Sequence, residues 1–551
     1  MKGKDAVAQI LKAEGVEHLM CFPDNAVIDA AAALDIRPII ARTERVAINI
    51  ADGFSRVSNG RRIGVAAVQY AGGIENAFAG VAQAYGDASP ILILPGGYER
   101  AEQGVPPNFR AVDSYANVAK WAEFVHQADR IPHMMRRAFT LLRSGKPGPV
   151  LLEIPTDVMD EPVCEACRQY APVRARRSQG DPADVREAVR ALLAAKSPVI
   201  VAGQGVFYAE ACAELREFAE LVQAPVLTTL NGKSAFPEDH PLALGAGGRS
   251  RPRTVDHFLD RADLVFGVGT SFTRSTYNVE LPPGKTIAQV TNSEADLSKD
   301  YAVSYGAIGD AKLVLRQMIE EARCRLGAER RRDGRHIVEA IRAVKADFMK
   351  AWWPRLTCDD APISPYRVIW ELMRAVDRAR TIVTHDSGHP RDQMVPFYEA
   401  VIPHGYIGWG KTTQLGTGLG LAMGAKLARP DCLCVNLMGD AAFGMVGMDF
   451  ETAVRLRIPI LTIVMNNGLM GGYDKFLPIS TEKYGARYLS GNFSKVADGL
   501  GGYTERVEKP EHLAPALRRC IAEVEAGRAA LLEVITREEP ALALGKSSRY
   551  Q

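Results

Sequence analysis

The chain has 551 residues, roughly three to four times the length of a usual domain, and therefore predicts about three domains. Apolar residues make up 47% of the chain and charged residues 24%, proportions that exclude a disordered, fibrous or membrane-spanning protein. Because 67 Lys and Arg residues nearly balance 65 Asp and Glu residues, the net charge of +2 does not indicate a nucleic-acid-binding role.

The first part of the chain alternates helical patterns with short apolar runs, which predicts a parallel α/β sheet. We expect a helix over residues 5–12 and strands over residues 18–22, 38–41, 63–68, 91–94 and 150–154. A basic linker with Pro and Gly follows at residues 168–181. The first domain is therefore expected over residues 1–165.

Two further α/β units follow. The second has a strand over Pro198–Ala202, a Gly-Gln-Gly turn and a helix over Glu210–Val222, and is expected to span residues 183–345. The third is expected over residues 360–551, with strands at 433–437 and 460–465. The charged stretch 321–350 predicts a solvated helix, since its basic run at 330–332 lacks the interleaved aromatic residues of a nucleic-acid patch. The predicted fold class is α/β, with three consecutive parallel-sheet domains.

The most informative stretch lies between residues 432 and 473. One apolar strand ends just before Asp440, and the next ends just before Asn467. Parallel strands deliver their carboxyl ends to one sheet edge, where ligands bind, so these two side chains should meet there. Carboxylate and amide oxygens suit Mg²⁺, which completes its shell with phosphate oxygens and water. The residues flanking Asp440 are small and leave backbone amides open to a diphosphate: Gly439, Ala441 and Ala442.

This pairing resembles the thiamine diphosphate motif of the acetolactate synthase and pyruvate decarboxylase superfamily, Gly-Asp-x followed by Asn-Asn. The resemblance covers essentially the whole chain and implies pyrimidine-binding, middle Rossmann-like and diphosphate-binding domains, in that order. It implies that Asp440, the Asn467 side chain and the Leu469 carbonyl hold Mg²⁺. Met470 and Gly471 follow as cofactor-binding candidates. Ala441 stands where the family usually has Gly, a departure that leaves the metal ligands unchanged.

A second match lies in the first unit. The segment from Ala41 to Arg56 resembles the family's strand-to-helix segment, and the family's glutamate falls on Glu44. The resemblance implies that Glu44 hydrogen-bonds N1′ of the aminopyrimidine and so activates the cofactor for attack on a carbonyl carbon. Taken alone, Glu44 could also be an acidic residue at a helix start, favoured by the helix dipole.

A third match is the glycine-rich run from residue 410 to 420, which resembles the family's turn under the thiazolium ring. Leu415 falls on the bulky apolar residue that bends the cofactor, and Gln414 precedes it. Upstream, Gly388 and His389 resemble less closely the loop that contacts the diphosphate. The resemblance therefore adds these four residues to the cofactor-binding candidates.

The residues expected to face the substrate are Asn25, Gln69, Tyr70, Phe109 and Arg110. Asn25 stands where enzymes resembling pyruvate decarboxylase carry a proton-transferring Asp, and the chain has no His-His pair. Both features disfavour simple decarboxylation to a free aldehyde. Phe109 and Arg110 lie where acetolactate synthases carry Phe-Gln. A buried Arg110 could hold a carboxylate or phosphate, whereas a surface Arg110 would pair with Asp113.

The resemblance implies a decarboxylase or carboligase that acts on 2-oxo acids, in the manner of acetolactate synthase. The run 444–452 looks closer to 2-hydroxyacyl-CoA lyases and oxalyl-CoA decarboxylases, so an acyl-CoA lyase is the alternative. In those enzymes the C-terminal tail covers the thioester, and the tail here, 545–551, is basic and polar. A non-catalytic regulatory descendant is disfavoured because Glu44, Asp440 and Asn467 are all retained. The middle domain could hold FAD or ADP, although residues 290–294 depart from the usual acidic strand end.

The resemblance also implies a homodimer or homotetramer, since the pyrimidine-binding domain of one subunit faces the diphosphate-binding domain of another. No signal peptide or apolar run of about 18 residues is found, which predicts a cytoplasmic protein with no membrane partner. The nine cysteines are too dilute for a disulfide framework and are expected to be free thiols. Cys164 and Cys167 have the spacing of half a zinc ribbon but no second pair.

Overall fold

Three parallel sheets of six strands each follow one another along the chain in the computed structural model, which describes residues 1–164, 169–327 and 333–545. The first sheet has the strand order β2-β1-β3-β4-β6-β5. Its strands are β1 (His18–Cys21), β2 (Arg37–Ile40), β3 (Gly64–Val68), β4 (Ile91–Gly97), β5 (Trp121–Phe124) and β6 (Val150–Pro155). Its helices are α1 (Gly3–Ala13), α2 (Ala26–Ala32), α3 (Glu44–Val57), α4 (Gly72–Gly86), α5 (Ala111–Tyr115), α6 (Ile131–Arg143) and α7 (Thr156–Asp160).

The second sheet has the strand order β12-β11-β10-β7-β8-β9. Its strands are β7 (Pro198–Ala202), β8 (Val226–Thr229), β9 (Ala243–Gly247), β10 (Leu264–Val268), β11 (Thr286–Thr291) and β12 (Tyr305–Ile308). Its helices are α8 (Pro182–Ala194), α9 (Gly205–Tyr208), α10 (Cys212–Val222), α11 (Arg253–Arg261) and α12 (Ala311–Leu326), and α13 (Arg335–Thr357) leads to the third sheet.

The third sheet has the strand order β14-β13-β15-β16-β18-β17 and so repeats the order of the first sheet. Its strands are β13 (Thr381–His385), β14 (Tyr406–Ile407), β15 (Leu433–Gly439), β16 (Leu461–Asn466), β17 (Tyr503–Val507) and β18 (Ala530–Ile535). Its helices are α14 (Pro365–Ala375), α15 (His389–Met394), α16 (Thr417–Ala428), α17 (Asp440–Val446), α18 (Phe450–Arg455), α19 (Pro478–Tyr484), α20 (Phe493–Gly499) and α21 (Pro510–Glu525).

The predicted fold class is confirmed, because all three sheets are parallel and carry α/β crossovers. The predicted strand Pro198–Ala202 is observed with those bounds, whereas the helix predicted from Glu210 begins at Cys212 because Glu210 has a left-handed backbone with φ of 55°. The predicted charged helix is two helices, α12 and α13, and its basic run at 330–332 lies outside the described residues. The predicted middle-domain end at residue 345 falls inside α13, and the domain bounds stay predictions.

Helices α3 and α16 cross at glycines and join the first unit to the third. A Cβ on Gly53 would lie 2.4 Å from the Leu421 carbonyl oxygen, and one on Gly424 would lie 2.1 Å from the Ile50 carbonyl oxygen. The two backbones can approach this closely only because glycine has no side chain. Apolar residues of both units consequently form one continuous core around this crossing.

Two further features concern the chain as a whole. Within the described ranges, no helix is both long and apolar enough to cross a membrane. Seven of the described cysteines form no disulfide, in agreement with the sequence prediction: Cys21, Cys212, Cys324, Cys358, Cys432, Cys434 and Cys520. Cys167 lies outside the described ranges.

Candidate active site

Asp440 and Asn467 lie at the carboxyl edge of the third sheet, where the sequence places them. Gly439, the last residue of β15, pairs with Met465 of β16, so the residues that follow each strand are neighbours. The Asp440 carboxylate accepts hydrogen bonds from the backbone N–H of Gly468, at 2.8 Å, and of its own neighbour Ala441, at 2.9 Å. The predicted carboxylate therefore contacts the loop that carries the predicted amide ligand.

An antiparallel bridge and a side-chain hydrogen bond hold the loop around Leu469. Leu469 forms an antiparallel bridge with Tyr488, in which Gly468 C=O accepts from Leu489 N–H at 2.7 Å. The second bond of the bridge runs from Met470 N–H to Arg487 C=O at 2.8 Å, so neither bond uses the backbone of Leu469 itself. Its N–H donates to Asn467 Oδ1 at 3.2 Å. The Asn467 side-chain oxygen thus lies against the backbone of Leu469, the residue predicted to offer its carbonyl.

These oxygens fit Mg²⁺ bound together with a diphosphate. Burial raises the pKa of Asp440, and the backbone amides that bond to it offset this effect only in part. A divalent cation would stabilise the charged carboxylate further. Within the described ranges, no three His, Cys, Asp or Glu side chains are grouped to hold a metal, so the ion would need phosphate oxygens to complete its shell. The residue set agrees with a metal-diphosphate site rather than with a metal site made of protein ligands alone.

His389 lies against the loop that follows the metal ligands. A Cβ on Gly471 would come within 2.6 Å of His389 Nδ1, so the absence of a side chain at Gly471 makes room for the imidazole. Burial lowers the pKa of His389, which keeps the ring neutral near pH 7. Gly388, with φ of 82°, directs the chain into α15 just before it. The structure thus brings His389, which directly follows Gly388, beside Gly471, and the contact of these residues with a diphosphate stays a prediction.

Glu44 is the first residue of α3, which Thr43 caps by accepting a hydrogen bond from Val46 N–H at 3.3 Å. The Glu44 side chain is buried, and its Oε2 accepts a hydrogen bond from Asn76 Nδ2 at 2.6 Å. A Cβ on Gly73 would lie 3.4 Å from Glu44 Oε1, so the glycine leaves that oxygen room. Asn76 was not identified from the sequence as a partner of Glu44. Its position one turn into the helix that follows an apolar strand could have indicated a residue at the site.

The start of α3 is attached to the third unit of the same chain through Asp449. This buried carboxylate accepts from Arg42 N–H at 2.7 Å and from Thr43 Oγ1 at 2.9 Å. Asp449 was not identified from the sequence. An acidic residue within the apolar run before α18 could have indicated a buried carboxylate with a specific partner. Glu44 is therefore fixed by contacts to both α4 and the third unit.

Leu415 and Gln414 lie in the loop that leads into α16. Leu415 is half-buried and packs against the core shared by the first and third units. The Gln414 side-chain oxygen accepts from Thr417 Oγ1 at 3.0 Å, which fixes it within its own loop. The structure thus gives Leu415 a defined position, whereas it gives Gln414 a local role in the turn.

The predicted substrate residues divide into two groups. Gln69 and Tyr70 follow β3, and the Gln69 Cβ would contact a side chain at Gly73, next to Glu44. Tyr70 packs edge-to-face on Tyr98, with ring centroids 4.9 Å apart, and Phe109 packs against the shared core. These three residues stay substrate candidates.

Asn25 and Arg110 make local contacts within this chain. The Asn25 amide caps α2 and donates to Val68 C=O at 2.9 Å and Leu94 C=O at 3.0 Å, so it ties strand ends together. Arg110 has 68% of its side chain exposed and pairs with Asp113 at 2.5 Å. The pairing with Asp113 is thus observed, because α5 begins directly after Arg110 and turns Asp113 toward it, and the substrate role of Arg110 stays a prediction.

Models of three protein domain families match the chain, one after another along the sequence. They are the N-terminal TPP binding domain of thiamine pyrophosphate enzymes over residues 1–121, the central domain over 185–318 and the C-terminal TPP binding domain over 386–534. Their order agrees with the three sheets, and the third includes the predicted metal ligands.

Individual relatives match almost the whole chain. A probable acetolactate synthase large subunit of Methanocaldococcus jannaschii is 30% identical over 95% of this chain and 90% of its own length. A glyoxylate carboligase of Escherichia coli O157:H7 is 29% identical over 95% of this chain and 91% of its own. The crystal structure of benzoylformate decarboxylase from Polynucleobacter necessarius has the same fold, with a TM-score of 0.82 and 20% identity over 98% of this chain and 99% of that one.

Both the matches and the site residues agree with an enzyme, so the non-catalytic alternative finds no support. The chain belongs to the thiamine pyrophosphate enzymes, in the family that includes the acetolactate synthase large subunits.

Proposed function

We propose that this protein uses thiamine diphosphate and Mg²⁺ to decarboxylate a 2-oxo acid and to join its acyl carbon to a second carbonyl compound. When bound, the cofactor supplies a nucleophilic carbon and an electron sink next to the carbonyl. The bond to the carboxylate breaks and CO₂ leaves; the acyl carbon keeps the electron pair, attacks the second carbonyl carbon, and a proton neutralises the new alkoxide. The observation that carries the proposal is the buried Glu44 carboxyl, held by Asn76 in the pyrimidine-binding unit.

The residues of this chain have separate tasks in that reaction. Asp440, Asn467 and the Leu469 carbonyl would hold Mg²⁺, and Gly388, His389 and Gly471 would surround the diphosphate. Glu44 would hold a proton at N1′ of the pyrimidine, with Asn76 fixing the orientation of the carboxyl group. Gln69, Tyr70 and Phe109 would border the substrate.

A substrate panel tests this proposal. Purified protein with Mg²⁺ and thiamine diphosphate is given pyruvate, glyoxylate or both, and CO₂ and products are measured by mass spectrometry. Consumption of a 2-oxo acid with formation of a hydroxyketone or hydroxyaldehyde supports carboligation. Release of free aldehyde alone indicates a simple decarboxylase, and no turnover of any 2-oxo acid contradicts the proposal.

The alternative, a 2-hydroxyacyl-CoA lyase, has one structural observation in its favour. The end of the described chain runs along the middle unit, where Leu544 bridges Ser250 and Arg251 N–H donates to Ala543 C=O at 2.8 Å. The chain end therefore lies beside arginines that could attract the phosphates of coenzyme A. The tail itself, 546–551, lies outside the described residues. Release of an aldehyde from a 2-hydroxyacyl-CoA in the same panel would favour this reaction.

We also propose a nucleotide in the middle unit. A cavity lies where the strand order of the second sheet reverses, between β7 and β10, the usual place for nucleotides in open α/β sheets. Its wall includes Gly203, Gly205 and Gly269, with Lys146 from the first unit and Lys411 from the third. FAD and ADP would both bring phosphates to these lysines. Acid extraction of the purified protein, followed by chromatography and absorbance spectra, identifies a bound nucleotide; addition of FAD or ADP should otherwise raise the thermal midpoint.

The proposed assembly is a homodimer or homotetramer. Large apolar side chains of the third unit are exposed on α17, α19 and the adjoining loops. They are Met445, Met448, Phe476, Ile479, Tyr484 and Tyr488. A second copy of the chain would cover them. Analytical ultracentrifugation tests this: a protein that is active as a monomer at assay concentration contradicts it.

A further inference from the structure

The loop that carries Leu415 is pinned by residues at the end of β13. Trp409 Nε1 donates to His385 C=O at 2.9 Å, and the two rings stack with centroids 5.1 Å apart. Further along, Ser387 Oγ donates to Thr413 C=O at 2.9 Å. The loop is therefore held at two points before it reaches Leu415.

The strongest attachment comes from Asp386, which lies between these two residues. Its Oδ1 accepts from Gly416 N–H at 2.9 Å, and its Oδ2 accepts from Gly418 N–H at 3.0 Å. The backbone N–H of Asp386 donates to Leu437 C=O of β15 at 2.8 Å, so the anchor is part of the sheet. Because the carboxylate is fully buried, it can hold these amides without competition from water.

Arg45 holds the same peptide group from the opposite end. Its Nη2 donates to Leu415 C=O, and it also interacts electrostatically with Asp386. The carbonyl and the N–H of the single peptide bond between Leu415 and Gly416 are therefore bonded to two oppositely charged side chains. Gly416 permits this, because a Cβ there would lie 3.3 Å from Arg45 Nη2 and 2.7 Å from Val446.

We propose that Asp386 and Arg45 are positioning residues that clamp the Leu415–Gly416 peptide and so fix the Leu415 side chain under the cofactor. The inference rests on the proposed function, in which Leu415 supports thiamine diphosphate. Arg45 comes from the first unit and directly follows Glu44, whereas Asp386 comes from the third unit. The clamp therefore also couples the start of α3, where Glu44 lies, to the loop under the cofactor.

The test compares ligands that do and do not reach Leu415. Asp386→Asn keeps the size of the side chain but removes its charge, and Arg45→Met keeps the apolar stem but removes the donors. With Mg²⁺, each variant should bind thiamine diphosphate about tenfold more weakly than wild type, as expected for loss of a charged hydrogen bond. Inorganic diphosphate, which lacks both rings, should bind within about twofold of wild type.

A second measurement works on the protein without cofactor. Trypsin cleaves after Lys411, which lies in the pinned loop, and mass spectrometry follows the fragment that ends there. Loss of the clamp should speed this cleavage about tenfold in both variants, because cleavage follows the population of the open loop. Since both side chains hold one peptide, the fold-loss of thiamine diphosphate affinity in the double variant should be smaller than the product of the fold-losses in the two single variants.

Asp263→Asn is the matched control. Asp263 also accepts hydrogen bonds from two backbone amides, those of Lys196 at 2.7 Å and Ser197 at 2.9 Å, but it lies in the middle unit, so the variant should behave as wild type.

Unchanged thiamine diphosphate binding and unchanged cleavage in both clamp variants would overturn the inference, as would an equal loss of affinity for inorganic diphosphate. If Asp386→Asn does not fold, the Arg45→Met variant tests the inference with the same affinity and cleavage measurements, since Arg45 is only half-buried. A wild type that binds no thiamine diphosphate contradicts the proposed function, while the cleavage rates still test the clamp.

Discussion

Asn76 Nδ2 lies 2.6 Å from Glu44 Oε2 and donates a hydrogen bond to it. Both residues belong to the first unit, Glu44 at the start of α3 and Asn76 in the first turns of α4. The bond fixes the carboxyl group in one orientation and leaves Oε1 directed to the space beside Gly73. Substitution of either residue should therefore change how the protein activates its cofactor.

Glu44→Gln should lower turnover about a hundredfold or more, because the amide cannot exchange a proton with N1′. The affinity for thiamine diphosphate should change by less than about threefold, since the metal and diphosphate ligands are on the third unit. Exchange of the cofactor C2 proton in D₂O, followed by NMR, separates activation from later steps. Near-normal exchange and turnover in this variant would refute the role of Glu44.

Asn76→Asp places a second carboxyl group within hydrogen-bond distance of Glu44. Two carboxylates at this separation do not both ionise readily, so the pair should lose its last proton at higher pH, and the limb of the pH–rate profile that reports this loss should move to higher pH. Asn76→Ala removes the donor without adding charge and should slow C2-proton exchange about tenfold, with no such displacement. An identical pH profile in wild type and Asn76→Asp would show that Asn76 does not act on Glu44.

The metal site could be predicted from the sequence because its ligands follow directly after two strands. In a parallel sheet the register of β15 and β16 alone brings Asp440 and Asn467 to neighbouring positions. The partners of Glu44 and Leu415 could not be predicted in this way. Asn76 reaches Glu44 only because α3 and α4 pack together, and Asp386 reaches Gly416 across 30 residues of chain. Such contacts depend on tertiary packing, for which local sequence carries no periodic signal.

The positions of the predicted substrate residues show the same limit. Arg110 lies in a loop, and a residue type alone cannot tell whether a loop side chain turns inward or pairs with its neighbour Asp113. Asn25 was expected to face the substrate, and no pattern in the sequence indicates that its amide also ties the start of α2 to the ends of β3 and β4. The sheet fixes where each strand ends, whereas the contacts of a loop side chain depend on the hydrogen-bonding groups that surround it.

Asp440→Ala should raise the Mg²⁺ concentration needed for half-maximal activity about a hundredfold, since the site loses its one carboxylate ligand. Thiamine diphosphate binding measured at low Mg²⁺ should fall in parallel. Asp431→Ala is the matched control, because Asp431 is in the same unit but is exposed and paired with Arg429 at 2.8 Å. An unchanged Mg²⁺ requirement in Asp440→Ala would place the metal elsewhere.

Gly53→Ala should destabilise the protein by about 3 kcal/mol, because the new methyl group would meet the α16 backbone rather than a flexible side chain. The expected Cβ position lies 2.4 Å from the Leu421 carbonyl oxygen. Gly499→Ala, also in a helix, has no atom within 4 Å of its Cβ position and should be neutral or stabilising by up to about 1 kcal/mol. Comparable thermal midpoints in the two variants would contradict the close crossing of α3 and α16.

Asp386 gives the protein a specific dependence of stability on pH. Burial raises the pKa of Asp386 to about 6, while its bonds to backbone amides and the charge of Arg45 oppose the increase. An unfolded Asp has a pKa of about 3.9, so the folded protein binds more protons between these values and loses stability as the pH rises through them. From pH 5 to pH 7 this loss of stability amounts to about 1 kcal/mol.

The Asn side chain of Asp386→Asn does not titrate, so the stability of wild type minus that of the variant should fall by this amount between the two pH values. Unfolding midpoints of the two proteins without cofactor at both pH values measure it, and a difference that stays constant or grows would show that Asp386 does not titrate in this range.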